Sequence, residues 1–169
     1  MRPELKREYV DYVQGRLPRL HRAAYLLCGD AHRADDIVQA ALTALYVNWK
    51  KAAAADNIDG YVHRILVRRY LDDRRLPWSR VRLGHDPSDG TSMPASDDRV
   101  ENRDAVMAAL RSLPKGQRAV LVLRYLSDLS VEDTAQALGC STGNVKSQSA
   151  RGLAALRERL SGAEARDWA

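Results

Sequence analysis

The chain has 169 residues, 45% hydrophobic and 29% charged, with a net charge of +5. That is room for one medium domain or two small ones, and no apolar run is long enough to span a bilayer. Its opening, MRPELKREYV, lacks the apolar core of an export signal, so a cytoplasmic location is expected. Cys28 and Cys140 stand far apart, which excludes a disulfide framework and leaves each to serve as a small apolar residue. A pI near 9.4 leans modestly towards a polyanionic partner.

Nearly every segment carries a 3.6-residue apolar period and none alternates convincingly, so the class is all-α. The first helix is expected over Glu4–Gln14, between Pro3 and Gly15, and a second over Leu17–Cys28, ending at Gly29. A third opens at Asp30 and runs to about Lys51, with Val38, Ala41, Leu42, Leu45 and Trp49 on one face. Asp35 and Asp36 lie early in it, where the helix dipole favours acids. After an alanine-rich loop, Asn57 caps a fourth helix that runs to about Arg75. Tyr61, Val62, Ile65, Leu66 and Tyr70 form its inward stripe. His63, Arg64, Arg68, Arg69, Arg74 and Arg75 crowd the remainder. Basic side chains interleaved with aromatics suit a surface that follows a nucleic-acid backbone. A solvated basic face reads equally well on these residues alone. Asp72 and Asp73 lack a third ligand and a correctly spaced histidine, so they make a poor metal or acid-catalytic site.

Composition changes after Pro77. Ser79–Asp98 gathers Gly84, Pro87, Gly90 and Pro94 among Ser, Thr and Asp, a linker of about twenty residues and expected to be flexible. The division expected is 1–77, a linker over 78–99, a second domain over 100–160 and a tail over 161–169. Helices follow over Val100–Leu110 and from Pro114 to about Leu126.

The stretch Leu129–Leu156 then reads as two helices around a tight turn. Ser130 is the N-cap, with Asp133 as its capping-box partner. Val131, Thr134, Ala135 and Leu138 face inward, and Gly139 ends the helix. Ser141 or Thr142 starts the next, with Val145, Ser149, Leu153 and Leu156 as its inner face. Small Ala135, turning Gly139 and plugging Val145 make a helix-turn-helix pattern. Thr142, Asn144, Lys146, Ser147, Gln148 and Arg151 are left to hydrogen-bond phosphates or base edges. No glycine-rich phosphate loop, nucleophile elbow or metal motif is present, so neither an enzyme nor a cofactor is expected.

Taken in order, DDIVQAALTALYVNWKK, DGYVHRILVRRYLDDRR, LPKGQRAVLVLRYLSDLSVEDTAQALG and CSTGNVKSQSARGLAALRERL resemble the extracytoplasmic-function sigma factors. The likeness is greatest to the sigma-E type of actinobacteria and covers roughly Glu8–Leu160. It implies two small helical domains joined by a flexible linker, the second a helix-turn-helix. Asp35, Asp36, Val38, Gln39 and Leu42 match the surface that docks on the clamp coiled coil of core RNA polymerase. Tyr61, Arg64, Arg68, Arg69, Arg74 and Arg75 match the segment that reads and opens the −10 promoter element, and Lys51–Gly60 matches a pocket loop for a flipped base. Arg118 matches a phosphate contact. Lys146, Ser147, Gln148 and Arg151 match −35 recognition positions on duplex promoter DNA. Ala40 stands where the family usually has Glu, Arg68 where Asn is commoner, and Gln148 where Arg is frequent. With no visible means of pairing and no apolar span, a monomer when free and no membrane contact are expected, and an anti-sigma factor is left open as partner. A stand-alone helix-turn-helix repressor is the alternative, although no dimerisation helix is visible.

Overall fold

A computed structural model describes residues 1–74 and 98–167. The described chain is helical, in the order α1 (Pro3–Cys28), α2 (Ala31–Val47), α3 (Trp49–Ala53), α4 (Ile58–Arg74), α5 (Asp98–Arg111), α6 (Lys115–Leu121), α7 (Val131–Leu138) and α8 (Thr142–Asp167). A π turn over Val122–Leu126 follows α6 directly.

The break expected at Gly15 does not occur; α1 runs unbroken through both Gly15 and Pro18. Leu5, Tyr9, Tyr12 and Val13 pack on the same core as Leu17, Leu20, Ala24 and Leu27. That apolar stripe keeps one helical phase, so packing along the whole helix outweighs the hydrogen bond lost at Pro18. α1 ends at Gly29, whose φ of 74° suits glycine and whose N–H caps Tyr25 O. Asp30 then starts α2, its carboxylate accepting the Arg33 N–H at 3.0 Å.

The long third helix of the sequence reading is divided at Asn48. Its side-chain amide donates to Ala44 O at 2.9 Å, competing with the backbone ladder as Asn does in helix interiors. The alanine-rich stretch placed in a loop begins as α3, which seats Trp49 against Tyr9 and Tyr12 at centroid separations of 5.5 Å. Tyr9 also donates to Leu42 O, tying α1 to α2.

A polar knot joins α1 to α4. Tyr12 Oη and Arg16 Nε both donate to Asp59 Oδ1, at 2.5 and 3.0 Å. Burial pushes the Asp59 carboxyl up, but those two donors outweigh it and hold the pKa below 3.8. A carboxylate with a depressed folded pKa stabilises the fold above its unfolded pKa, and that stability is lost as pH falls through the folded value. Asp59→Asn should therefore lower stability at pH 7 and shrink the loss of stability as pH falls through the depressed Asp59 pKa, read by urea unfolding at each pH. An unchanged pH profile would remove Asp59 from this role.

In the second half, α6 stops short of the Leu126 end expected for it. Ser127 N–H donates to Val122 O and Leu129 N–H to Leu123 O, bonds wider than the α ladder. Asp128, at a φ of 53°, redirects the chain into α7. The tail assigned to 161–169 instead continues α8 as far as Asp167.

The two halves do not keep separate cores. One apolar cluster runs from Leu20, Val38 and Leu66 through Leu113 and Val120 to Leu138 and Val145. α4 packs on α7, and α1 touches α5, α6 and the π turn. Halves of about 70 residues each bury limited apolar area alone, and sharing a face extends the core. The linker over 78–99 lies almost wholly outside the described residues.

Candidate nucleic-acid interface

The helix-turn-helix forms from local chemistry. Ser130 Oγ accepts the Asp133 N–H at 3.0 Å and starts α7. Gly139, at a φ of 68°, ends it, and Cys140 N–H closes on Ala135 O. Ser141 Oγ accepts the Asn144 N–H at 3.1 Å and starts α8. Val145 is fully buried in the angle. On α8, Thr142, Lys146, Ser147 and Arg151 face solvent, while Asn144 is half-buried.

Gln148 departs from the outward placement expected of it, being only 9% exposed. The most buried line of α8 is Val145, Gln148 and Gly152, spaced i, i+3 and i+7, while Ser149 is half-buried and the expected Leu153 and Leu156 pack against the edge of the core. A Cβ at Gly152 would lie 2.9 Å from Leu121 Cδ1, so α8 presses on α6 along this line and turns Gln148 inward.

Arg118 was matched to a phosphate contact, yet it is 3% exposed. Its guanidinium donates to Leu27 O and Arg111 O at 3.0 Å each and to Leu113 O at 3.3 Å. Leu27 lies in the last turn of α1 and Arg111 ends α5, so the cation sits between two negative helix termini. The reason is tertiary: the ends of α1 and α5 meet beside α6, and their orphan carbonyls take the nearest fork of donors.

On α4, Arg68, Arg69 and Asp72 are exposed, and Tyr61 and Arg64 are half-buried. The side chain of Arg74, and Arg75 entirely, lie outside the described residues. His63, assigned to the basic face, is instead buried, with Nδ1 donating to Asp59 O at 2.7 Å. Burial lowers its pKa, so it adds no charge to that face at neutral pH. Ala55, Asp56, Asn57, Gly60, Tyr61 and Arg64 line a pocket at the start of α4, and Asp133 of α7 completes it. Asn57 Oδ1 accepts the Gly60 N–H, which caps the helix and fixes the pocket wall.

On α2, Asp35, Asp36 and Gln39 are exposed and Leu42 is half-buried. Val38 is at 0% exposure, so it belongs to the core and offers nothing to a docking partner. Its neighbours at i+3 and i+7, Ala41 and Leu45, are buried with it. A shallow hollow lined by Asp36, Ile37, Ala40, Arg69 and Asp72 links this face to α4. Among the described residues, no three His, Cys, Asp or Glu side chains converge to hold a metal, and no helix is long and apolar enough to cross a membrane.

Two further contacts have no counterpart in any sequence pattern. Gln136 and Asp133 of α7 meet the α4 surface, with Gln136 Oε1 accepting from Arg64 at 2.6 Å. Arg111 donates to the carbonyl of Gly29, across 82 positions of sequence. No local pattern predicts such long-range pairs.

Two family models match the chain: Sigma-70 region 2 over residues 12–79 and Sigma-70, region 4 over residues 103–156. It is 37% identical to the RNA polymerase sigma-E factor of Streptomyces avermitilis, covering 95% of this chain and 87% of that one. The sigma-E factor of Streptomyces coelicolor is 36% identical, over 90% and 86% of the two chains. The ECF RNA polymerase sigma factor SigE of Mycolicibacterium smegmatis is 32% identical over 93% of this chain and 60% of that one. Among solved structures, the sigma factor RpoE in complex with the anti-sigma factor NepR from Bartonella quintana superposes with a TM-score of 0.71. It is 24% identical and covers 91% of this chain and 97% of that one, which shows a shared fold.

Proposed function

Because the chain belongs to the extracytoplasmic-function family of RNA polymerase sigma factors and so directs transcription initiation, we propose how its surfaces divide that work. α2 docks on the clamp coiled coil of core polymerase through Asp35, Asp36, Gln39 and the exposed part of Leu42. α4 reads and opens the −10 element with Tyr61, Arg64, Arg68 and Arg69, and the pocket beside Gly60 receives an unstacked base. α8 enters the major groove of the −35 element with Lys146, Ser147 and Arg151.

The observation that carries this reading is one chain bearing two exposed polar helices of different character. α8 presents a short row of donors at helix-turn-helix spacing, suited to duplex edges. α4 presents arginines beside a tyrosine-lined pocket, suited to a single strand. Unstacking DNA costs a few kcal/mol per step, more than so few phosphate contacts supply, and polymerase contributes the remainder. The protein acts as a cytoplasmic monomer until polymerase binds it.

The test is transcription in vitro with purified core polymerase on genomic fragments. Specific initiation that needs this chain supports the reading, and its absence on every fragment rejects it. Base reading is tested separately through Arg151, an exposed fork on α8. Arg151→Ala should lower holoenzyme affinity for its promoter by about 1–3 kcal/mol and relax preference within the −35 element. Unchanged affinity and preference would take α8 out of the interface.

A further inference from the structure

A hollow between α2 and α4 adjoins the docking surface. The two helices pack directly on each other, and the gap lies where Ala40 contributes no more than a methyl group. Its floor is apolar: Ile37 is 3% exposed and Ala40 is half-buried. Its rim is charged. Asp36 stands on α2 one turn ahead of Ala40, and Arg69 and Asp72 stand on α4 at i and i+3. All three charged side chains are exposed. Among the described residues, neither carboxylate has a cation within ion-pair distance.

An apolar floor under a charged rim matches one kind of side chain, a long stem that carries a charged head. Two carboxylates against one guanidinium leave the rim net negative, so the head that fits is a cation. Arginine suits it better than lysine, because a planar fork can donate to carboxylates on two helices at once. Asp36 is itself one of the carboxylates assigned to docking, so a partner seated on α2 lies at the edge of the hollow. We propose that the hollow receives an arginine of the docking polymerase. Its stem lies over Ile37 and Ala40, and its guanidinium is held between Asp36 and Asp72. α4 then carries a docking residue of its own, Asp72, beside the arginines that face DNA. This rests on the reading of α2 as the docking surface.

In the free chain both carboxylates are solvated, and a surface ion pair there would contribute little. Polymerase seated over the hollow excludes that water, which strengthens a fork shared by two carboxylates. Arg69 opposes the incoming cation from the same rim. Attraction therefore depends on both acids, and neutralising either leaves the rim with no net charge.

The experiment titrates the full chain, labelled with fluorescein at its N-terminus, with purified core polymerase and follows anisotropy. Asp72→Asn is expected to bind about tenfold more weakly than the wild type. Adding Ala40→Glu to that variant returns a carboxylate to the hollow from its floor, and should bring affinity back to within about threefold. Circular dichroism checks that both variants are folded. Once saturated with polymerase, Asp72→Asn should open promoter DNA as well as the wild type, read by permanganate reactivity of the bubble. Wild-type docking by Asp72→Asn overturns the proposal. A loss that Ala40→Glu leaves unrestored overturns it too, because the carboxylate would then act outside the hollow. Impaired opening by the saturated variant also overturns it, by returning Asp72 to the DNA surface. The premise is read apart from these through Asp35→Lys, which lies outside the hollow. Unchanged polymerase affinity there moves docking off α2 and removes the premise; weakened affinity there beside normal docking by Asp72→Asn rejects the hollow alone.

Discussion

Arg118→Ala is expected to lower the unfolding free energy by about 3–5 kcal/mol, since hydrogen bonds from a charged donor are worth about 1.5–3 kcal/mol each and three are lost. The sum is reduced because burying the guanidinium itself carries a desolvation cost. Leu27 O, Arg111 O and Leu113 O would be left facing the gap, and two of them lie at negative helix termini. Arg118→Lys should restore little, because an ammonium lacks the planar fork that reaches separated carbonyls. Urea unfolding of the three proteins decides the matter. Wild-type stability in Arg118→Ala, together with a shallower salt dependence of DNA binding, would return Arg118 to the phosphate contact first expected of it.

The second large effect concerns docking. Reversing Asp35 and Asp36 to Lys should weaken binding to core polymerase by about 2–5 kcal/mol if these carboxylates are desolvated against a basic partner. The fold should survive. Both side chains are exposed, and the contact Asp35 makes with His21 Nδ1, at 3.2 Å, is a surface pair worth about 0–1 kcal/mol. Val38→Ala separates packing from docking at the neighbouring position. It should lower stability through a core cavity and leave polymerase affinity of the folded fraction unchanged. Normal polymerase binding by the double reversal would move the docking surface off α2.

Local chemistry was enough to establish much of this protein from its sequence. The all-α class, the caps at Asp30, Asn57, Ser130 and Ser141, the positive-φ stops at Gly29 and Gly139 and the exposed row Lys146, Ser147 and Arg151 all depend on residues a few positions apart. Such short-range preferences survive in almost any tertiary setting. Where tertiary packing competed with them, the local reading failed. Gly15 and Pro18 look like a break, but a stripe in constant phase from Leu5 to Leu27 carries α1 across them. Val38, Gln148, His63 and Arg118 each lie on a helix with more than one plausible inner line. Only the position of the neighbouring helices decided which line was buried. The packing of α7 on α4 was decided at greater range still. Residues 72 positions apart meet because both halves bury more apolar surface together than apart, and the sequence pattern of neither half records its partner.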